Sequence, residues 1–343
     1  MAHDHPVLAE ATLRQLGDLR GLQVGTAIRA STLNASAPYG AIAAREFRSI
    51  TPANEMKWAS VERVRGRYDW SGADATIAFA RAHGQVVRGH TLVWHRQLPS
   101  WLTESGFTGP QVLQLMTEHV VAEAGRYTGE IAAWDVVNEP FNEDGTFRTS
   151  IFEQASNGPD YIAAALHAAR RADPAARLYL NDYNIEGINA KSTAMLNLAT
   201  SLRQRGVPID GVGIQAHVIL GQVPSDFAEN IGRFVAAGFE VCLTEIDVRI
   251  PLIAGEATPA QLAEQAADYA RIIEAALAAR GCVGVTVWGF TDLDSWIPRA
   301  FPGQGAADLL DANLSPKPAY FAMHRALAAA GWIDDPGLPA NGI

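Results

Sequence analysis

Two glutamates follow short, mostly apolar runs, in places where their carboxyl groups could act together. Residues 131–137 lead into Glu139, and Pro140 then ends any strand pairing; residues 241–244 lead into Glu245. Each glutamate would therefore stand at the carboxyl end of a buried strand. A single glutamate in such a place is about as often a structural cap. Two together are what cleavage of a glycosidic bond requires, one to give a proton and one to act as nucleophile or base.

The elements that must position these glutamates repeat along the chain as strand, turn and helix. The predicted strands are 22–28, 46–51, 85–90, a fourth from 131, 177–180, 209–214, a seventh from 241, and 283–288. The predicted helices between and after them are 74–82, 111–124, 160–171, 192–205, one from 259 that ends before Gly281, and 319–329. Eight such units predict a single-domain α/β fold, a (β/α)8 barrel spanning 1–343 with a core of about 13–329. A doubly wound open sheet is the alternative, disfavoured because no glycine-rich phosphate loop follows the first strand.

Composition limits the classes of partner. The chain has 343 residues, is 48% hydrophobic and carries a formal net charge of −10, which argues against nucleic acid or an anionic membrane as its target. It contains no apolar run of about 18 residues, so no membrane span is predicted. Residues 1–6 lack the basic and apolar regions of a signal peptide. We expect a monomer that is secreted and present here in its mature form, with an intracellular protein as the alternative.

Groups that can bind sugar hydroxyls or pack on sugar rings follow seven consecutive strands, from the second to the eighth. In strand order they are Asn54 and Lys57, His90 and Trp94, Asn138 and Glu139, Tyr183, Gln215 and His217, Glu245 and Asp247, and Trp288 and Trp296. Any one of them could be structural, since a lone strand-end histidine or tryptophan usually is. As a series they match the amides, carboxylates, lysine and aromatic faces that bind sugars. They predict a sugar-binding cleft at the carboxyl end of the barrel.

With these residues the chain resembles the family 10 glycoside hydrolases, the endo-1,4-β-xylanases. The matching motifs, in order, are Asn54-Glu-Met-Lys57-Trp58, Gly89-His90-Thr-Leu-Val-Trp94-His95, Trp134-Asp-Val-Val-Asn138-Glu139, Gln215-Ala-His217, Thr244-Glu245-Ile-Asp247 and Trp288-Gly-Phe-Thr-Asp292. The resemblance extends over about 13–329. It implies a (β/α)8 barrel that hydrolyses internal bonds of xylan and xylo-oligosaccharides, without a cofactor or a metal ion.

The resemblance also implies a role for each residue in a retaining mechanism. Glu139 would be the general acid/base and Glu245 the nucleophile, while His217, oriented by Asp247, would keep Glu245 ionised. Asn138 would hold the 2-hydroxyl. The remaining contacts would come from Lys57, His90, Asn54 and Gln215 to the other hydroxyls, from Trp94, Trp288 and Trp296 to the glycone, and from Tyr183 to the aglycone.

The chain departs from the family pattern at two positions. Ala53 stands where the family usually has a glutamate that helps bind the second sugar on the non-reducing side. Ala276 stands where relatives often have a cysteine that pairs with the equivalent of Cys282, so that disulfide cannot form. Cys282 and Cys242 are therefore either two buried thiols or a pair bridging strands seven and eight. We also expect no carbohydrate-binding module after the last helix.

Three alternatives remain open from the sequence. The protein could be a retaining barrel hydrolase for another polymer, a β-1,4-glucanase or a mannanase. It could be an inactive barrel that binds glycan or inhibits an enzyme, although both glutamates are retained. It could be a metal-dependent hydrolase that uses His90, His95 and His217. The His3-Asp4-His5 triplet precedes the first strand and so cannot supply the strand-end ligand pair usual in such enzymes.

Overall fold

Eight parallel strands close into a barrel in the computed structural model, which describes residues 10–329. The strands are β1 Gln23–Ile28, β2 Ser49–Pro52, β3 Val86–Trp94, β4 Ile131–Asn138, β5 Arg177–Asp182, β6 Gly211–Ile214, β7 His217–Ile219, β8 Glu240–Pro251, β9 Cys282–Val287 and β10 Gln304–Gly305. The barrel consists of β1 to β6, β8 and β9, and β9 pairs in parallel with both β8 and β1. The predicted single-domain (β/α)8 barrel is confirmed.

Helices surround the barrel and connect successive strands. They are α1 Leu13–Leu19, α2 Ala30–Ala35, α3 Ala37–Glu46, α4 Trp58–Val61, α5 Ser71–Ala82, α6 Ser100–Thr103, α7 Gly109–Arg126, α8 Ile151–Ser156, α9 Asp160–Ala172, α10 Ala190–Gln204, α11 Phe227–Ala236, α12 Pro259–Ala278, α13 Ile297–Ala300 and α14 Pro318–Ala329. The predicted capping box of α12 is present, because Thr258 accepts from the N–H of Gln261 and the Gln261 side chain accepts from the N–H of Thr258. This cap fixes where the longest helix begins.

The core lies between the strands and the inner faces of the helices. On α7 the predicted apolar face of Val112, Leu115, Met116 and Val120 is buried. The barrel interior also contains a buried ion pair, in which Arg88 on β3 donates two hydrogen bonds to Asp135 on β4. Burial of such a charge is tolerable only because the carboxylate partner receives both bonds.

Residues from both ends of the described range, 10–329, meet where the barrel closes. Arg20, just after α1, donates hydrogen bonds to the carbonyls of Leu327 and Ala328 in α14, each over 2.9 Å. The His324 ring is hydrogen-bonded to the carbonyl of Ala11 over 2.8 Å. These contacts pack α1 and α14 together beside the β1–β9 pair.

Some predicted boundaries are wrong. The sequence pattern predicts Glu46 in the second strand, but this residue is the last of α3 and accepts hydrogen bonds from the Leu13 N–H and the Tyr320 hydroxyl. β3 continues to Trp94, beyond the predicted end at 90. β8 continues to Pro251 because its second half pairs with β7 and β10.

Cys242 and Cys282 lie on the neighbouring strands β8 and β9 and are both free, buried thiols. The structure therefore contains two buried thiols and no disulfide between these two cysteines. Burial raises the pKa of Cys242 to about 11 and that of Cys282 to about 12, so neither is a thiolate near neutral pH.

Within residues 10–329, no helix is long and apolar enough to cross a membrane. The His3-Asp4-His5 triplet lies outside the described residues.

Candidate active site

Strand pairing places the predicted site residues side by side at the carboxyl end of the barrel. Trp94 at the end of β3 pairs with Asn138 at the end of β4, and Asn138 pairs in turn with Asn181 near the end of β5. Glu139 directly follows Asn138, and Glu245 lies within β8. Residues far apart in the chain are therefore brought together at one end of the barrel.

The Glu245 carboxylate is almost completely buried and is held by donors on two sides. Asn181 Nδ2 donates to Oε1 over 2.7 Å, and His217 Nε2 lies 3.3 Å from Oε2. Burial opposes ionisation, but the nearby His90 and His217 rings outweigh it and hold the pKa of Glu245 below its usual range. Glu245 is therefore an ionised carboxylate at neutral pH.

His217 connects Glu245 to a second carboxylate. Its Nδ1 lies 2.9 Å from Asp247 Oδ2, and the indole N–H of Trp296 donates to the same oxygen over 2.8 Å. Burial disfavours the charged imidazole, but Asp247, with a smaller contribution from Glu245, raises the pKa of His217 to about 10. The ring is thus an imidazolium between two carboxylates, as expected of a group that keeps Glu245 ionised.

The Glu139 carboxyl is more weakly held. Its Oε1 accepts from Gln215 Nε2 over 3.2 Å and from Asn138 Nδ2 over 3.5 Å. His95 Nδ1 lies 3.9 Å from Oε2. Burial, assisted by the charge of Arg148, lowers the pKa of His95 to about 4, so this neighbour is a neutral ring at physiological pH. Glu245 therefore stands beside a positively charged histidine, and Glu139 stands beside a neutral one.

The backbone of Glu139 adopts a left-handed conformation, with φ of 58°. Such a conformation is uncommon for a residue other than glycine and persists only where its surroundings impose it. The Glu139 N–H donates to the carbonyl of Asn181 over 2.7 Å, and Arg148 Nε donates to the Glu139 carbonyl over 3.0 Å. Both backbone polar groups of the residue are thus fixed.

Asn181 also belongs to the site, although no sequence motif singles it out. One side-chain amide donates to both Asn138 Oδ1, over 2.9 Å, and Glu245 Oε1, while Thr244 Oγ1 donates to its Oδ1 over 2.6 Å. The signal available was its place at a strand end, two residues before Tyr183. Its amide thus connects Glu245 to Asn138, and the amide of Asn138 donates in turn to Glu139.

Lys57 is buried between aromatic rings on one side of the glutamates. Its ammonium donates to Asn54 Oδ1 over 3.1 Å and lies 4.9 Å from the centre of the Trp94 ring and 5.8 Å from that of Trp288. Burial lowers the pKa of Lys57 to about 8, although the negative charge of the two glutamates acts in the opposite direction. A second residue missed from sequence, Gln97, reaches the same Asn54 oxygen over 3.4 Å.

The other predicted residues border the same space. His90 Nδ1 lies 3.0 Å from Asp135 Oδ2, and the His90 ring packs edge-on against Trp288. The Tyr183 hydroxyl accepts from Arg148 Nη2 over 2.9 Å, and its ring lies over the ammonium of Lys191. Within residues 10–329, no group of three or more His, Cys, Asp or Glu is arranged to hold a metal ion.

Several known proteins are similar to this chain over most of its length. A family model described as glycosyl hydrolase family 10 matches residues 12–326. An endo-1,4-β-xylanase of Agaricus bisporus is 50% identical over 275 residues, which cover 80% of this chain and 81% of that protein. The crystal structure of native xylanase 10B from Thermotoga maritima superposes with a TM-score of 0.90 at 38% identity, covering 93% of this chain and 98% of that one. Xylanase 10B from Thermotoga petrophila RKU-1, solved with xylobiose, superposes with a TM-score of 0.90 at 37% identity and the same coverage.

Proposed function

The chain belongs to glycosyl hydrolase family 10, and from this membership we propose that it is an endo-1,4-β-xylanase that cleaves internal bonds of xylan with retention of configuration. Relatives with xylanase names support the substrate. The mechanism is supported by the site, where two carboxyl groups lie in one cleft and are joined through the amides of Asn138, Asn181 and Gln215.

The observation that carries the assignment of roles is the difference between the two histidines. The nucleophile must be ionised, and Glu245 stands beside the positively charged His217. The acid must be able to hold a proton before the first step, and Glu139 stands beside the neutral His95. Glu139 is therefore the general acid/base and Glu245 the nucleophile.

In the first step, Glu245 attacks the anomeric carbon while Glu139 gives its proton to the departing glycosidic oxygen. The bond between the anomeric carbon and that oxygen breaks, and a glycosyl ester forms on Glu245. In the second step, Glu139, now a carboxylate, removes a proton from water. The water oxygen attacks the anomeric carbon, and Glu245 leaves as a carboxylate. Two inversions return the original configuration.

The remaining residues bind the polymer. Several sugar hydroxyls are hydrogen-bonded by Lys57, Asn54, His90 and Gln215. Asn138 holds the 2-hydroxyl beside Glu245, where a hydrogen bond to this hydroxyl strengthens in the transition state. Trp94, Trp288 and Trp296 border the glycone, and Tyr183 borders the aglycone. The indole N–H of Trp94 has no partner among the described residues, so it is available to a sugar oxygen.

Glu139→Ala tests both roles. Loss of general acid–base catalysis typically costs 10²–10⁴-fold, so nearly all activity on xylan should disappear. A dinitrophenyl xylobioside needs no acid to release its leaving group, and the variant should give a fast burst of phenolate followed by slow turnover. Azide should restore turnover and give a β-glycosyl azide. Glu245→Ala should show no burst, and any azide product should be α.

Three results would contradict parts of the proposal. An α-azide from Glu139→Ala, or retained xylan activity in that variant, would show that the two roles are assigned wrongly. Higher activity of the wild-type protein on carboxymethyl cellulose or mannan than on xylan would contradict the proposed substrate. It would not contradict the proposed retaining mechanism.

A further inference from the structure

A fully buried carboxyl group, that of Asp308, lies beside the second half of β8. The carbonyl of the preceding residue, Ala307, accepts hydrogen bonds from the N–H of Val248 over 3.2 Å and from the hydroxyl of Tyr269 over 2.8 Å. Val248 directly follows Asp247 in the chain. These bonds therefore fix Asp308 close to one of the carboxylates of the active site.

Both carboxyl oxygens of Asp308 are buried and have no hydrogen-bond partner among residues 10–329. The nearby ammonium of Lys317 donates to the two oxygens of Asp292, over 3.1 and 2.8 Å, and to the carbonyl of Ala306 over 2.7 Å. An ammonium has three donors, and these three bonds use them all. Lys317 therefore has no hydrogen bond left to give to Asp308.

Charged and titratable groups face Asp308 from each neighbouring element. They are Asp247 on β8, Tyr269 on α12, Asp292 in the loop after β9 and Lys317 before α14. Burial, together with the negative charges of Asp292 and Asp247, holds the pKa of Asp308 well above its usual range. Lys317 and the hydroxyl of Ser295 act in the opposite direction and are outweighed. A buried carboxyl group without a cation of its own is expected to take up a proton.

The Asp247 carboxylate already serves the active site. Its Oδ2 contacts the His217 imidazolium and accepts from the indole N–H of Trp296. Its Oδ1 is buried and has no hydrogen-bond partner in the described part of the chain. A charge on Asp308 would thus add repulsion to a carboxylate that has one unpaired oxygen.

We propose that Asp308 is a positioning residue that carries a proton while the enzyme works, and that its neutral state allows the loop bearing Trp296 to pack against Asp247. An ionised Asp308 would lie between the carboxylates of Asp247 and Asp292 and would repel both. Because Asp247 binds both Trp296 and His217, this repulsion would disturb the surroundings of the nucleophile. The effect on activity rests on the proposed function, whereas the charge of Asp308 is measured without substrate.

Asp308→Asn tests the charge, because an amide has nearly the shape of a protonated carboxyl group and cannot ionise. In the unfolded chain an aspartate ionises near its ordinary pKa of about 3.9. If the folded protein retains the proton, the contribution of Asp308 to stability is fully present below that pH and is lost as pH rises toward the raised pKa. Between pH 5 and 7, the equilibrium constant for unfolding in urea should increase for the wild type, relative to Asp308→Asn, by up to about tenfold per pH unit.

Glu104→Gln is the matched control, since Glu104 is an exposed carboxyl group whose replacement makes the same chemical change. Its unfolding curve should run parallel to that of the wild type over this pH range. Infrared spectra at pH 7 give a second measurement, in which the band of protonated carboxyl groups should be weaker in Asp308→Asn. Glu123 on α7, whose pKa is also raised by burial, contributes equally to both spectra.

The positioning role predicts a change in the alkaline limb of the pH profile. With each profile scaled to its own maximum, kcat/KM on xylan should fall at higher pH in Asp308→Asn than in the wild type. Only the wild type can place a further negative charge beside Asp247. Lys57 and His217 titrate in both proteins and account for the remaining decline.

Parallel unfolding curves for the wild type and Asp308→Asn would overturn the inference, because Asp308 would then be ionised in the folded protein. Failure of Asp308→Asn to fold would also overturn it, since the buried group would then need its charge. Superimposable alkaline limbs would refute the positioning role. Absence of xylan cleavage by the wild type would instead refute the proposed function, and the unfolding curves would still decide the charge of Asp308.

Discussion

The amide of Asn181 donates a hydrogen bond to Glu245 Oε1 over 2.7 Å. Thr244 Oγ1 donates to the oxygen of the same amide, so the NH₂ group is the end that faces the carboxylate. The space for this arrangement depends on Gly213, where a Cβ atom would lie 2.3 Å from Asn181 Oδ1. A strand residue without a side chain thus leaves room for the neighbouring Asn181 to hold the Glu245 carboxylate.

Replacement of Asn181 should slow the formation of the glycosyl-enzyme. Asn181→Ala removes a hydrogen bond to a charged group, worth about 1.5–3 kcal/mol, so kcat/KM should fall roughly 10- to 150-fold. The acid limb of the pH profile should move to higher pH, because the ionised form of Glu245 loses a donor. Thr244→Val should shift both quantities in the same direction by less. Asn313→Ala, at an exposed position in the loop before α14, is the control; an unmoved acid limb in Asn181→Ala would show that Asn181 only supports the fold.

The charge on His217 should make stability depend on pH. Its pKa is raised to about 10, above the ordinary value of about 6.5, so its protonation favours the folded state. This contribution is fully present below pH 6.5 and is lost as pH rises toward 10. The free energy of unfolding in urea, measured between pH 6 and 10, should fall more steeply for the wild type than for His217→Gln. Parallel curves would contradict the assignment.

Ala53 should weaken the binding of the second sugar on the glycone side. The neighbouring Glu55 cannot substitute for the missing carboxylate, because its oxygens accept from the N–H groups of Ala30 and Asn54. Ala53→Glu should lower KM on short xylo-oligosaccharides. The fall should correspond to a gain in binding free energy of about 0.5–3 kcal/mol, the range of one or two hydrogen bonds. Ala53→Gln, of similar size and without charge, is the matched control. A KM that stays the same or rises would mean that another group fills this place.

Trp296 should restrict the cleft to xylose. Xylose lacks the hydroxymethyl group of glucose, and a bulky indole beside the cleft would exclude the larger sugar. Trp296→Ala should therefore lower activity on aryl xylobiosides and raise relative activity on aryl cellobiosides.

The same indole donates to Asp247, so some loss of activity will come from the His217 pair. Trp296→Phe removes this hydrogen bond and keeps a ring, and it should slow both substrates by the same factor. If Trp296→Ala also leaves the ratio of the two rates unchanged, the residue is structural.

The barrel and most of its strand ends could be predicted because the relevant patterns are local. Apolar runs, glycine stops and the Thr258 cap each lie within a few residues. The position of Glu46 could not be predicted in this way, because its partners Leu13 and Tyr320 are 33 and 274 residues away. The length of β8 depends on β7 and β10, which are too short to show in the sequence pattern.

In the candidate site, too, some residues could be predicted from local patterns, and others depend on contacts between distant parts of the chain. Residue types at strand ends indicated Glu139, Glu245 and their surroundings. The importance of Asn181 depends on lateral register, since it pairs with Asn138 across β4 and β5. The neutral state of His95 depends on burial and on the charge of Arg148, which follows it by 53 positions. A single sequence gives neither register nor burial directly.

The pairing of β9 with β1 has a consequence for the newly synthesised protein. Val24 pairs with Val285, so the first strand leaves the ribosome more than 250 residues before its partner exists. Until then β1 is an open edge, with backbone groups that another chain could pair with. The barrel can close only when synthesis has passed β9, and α14 can then pack against α1. A nascent chain halted before residue 282 would therefore expose β1, and chaperone binding to it should end once the last strand is made.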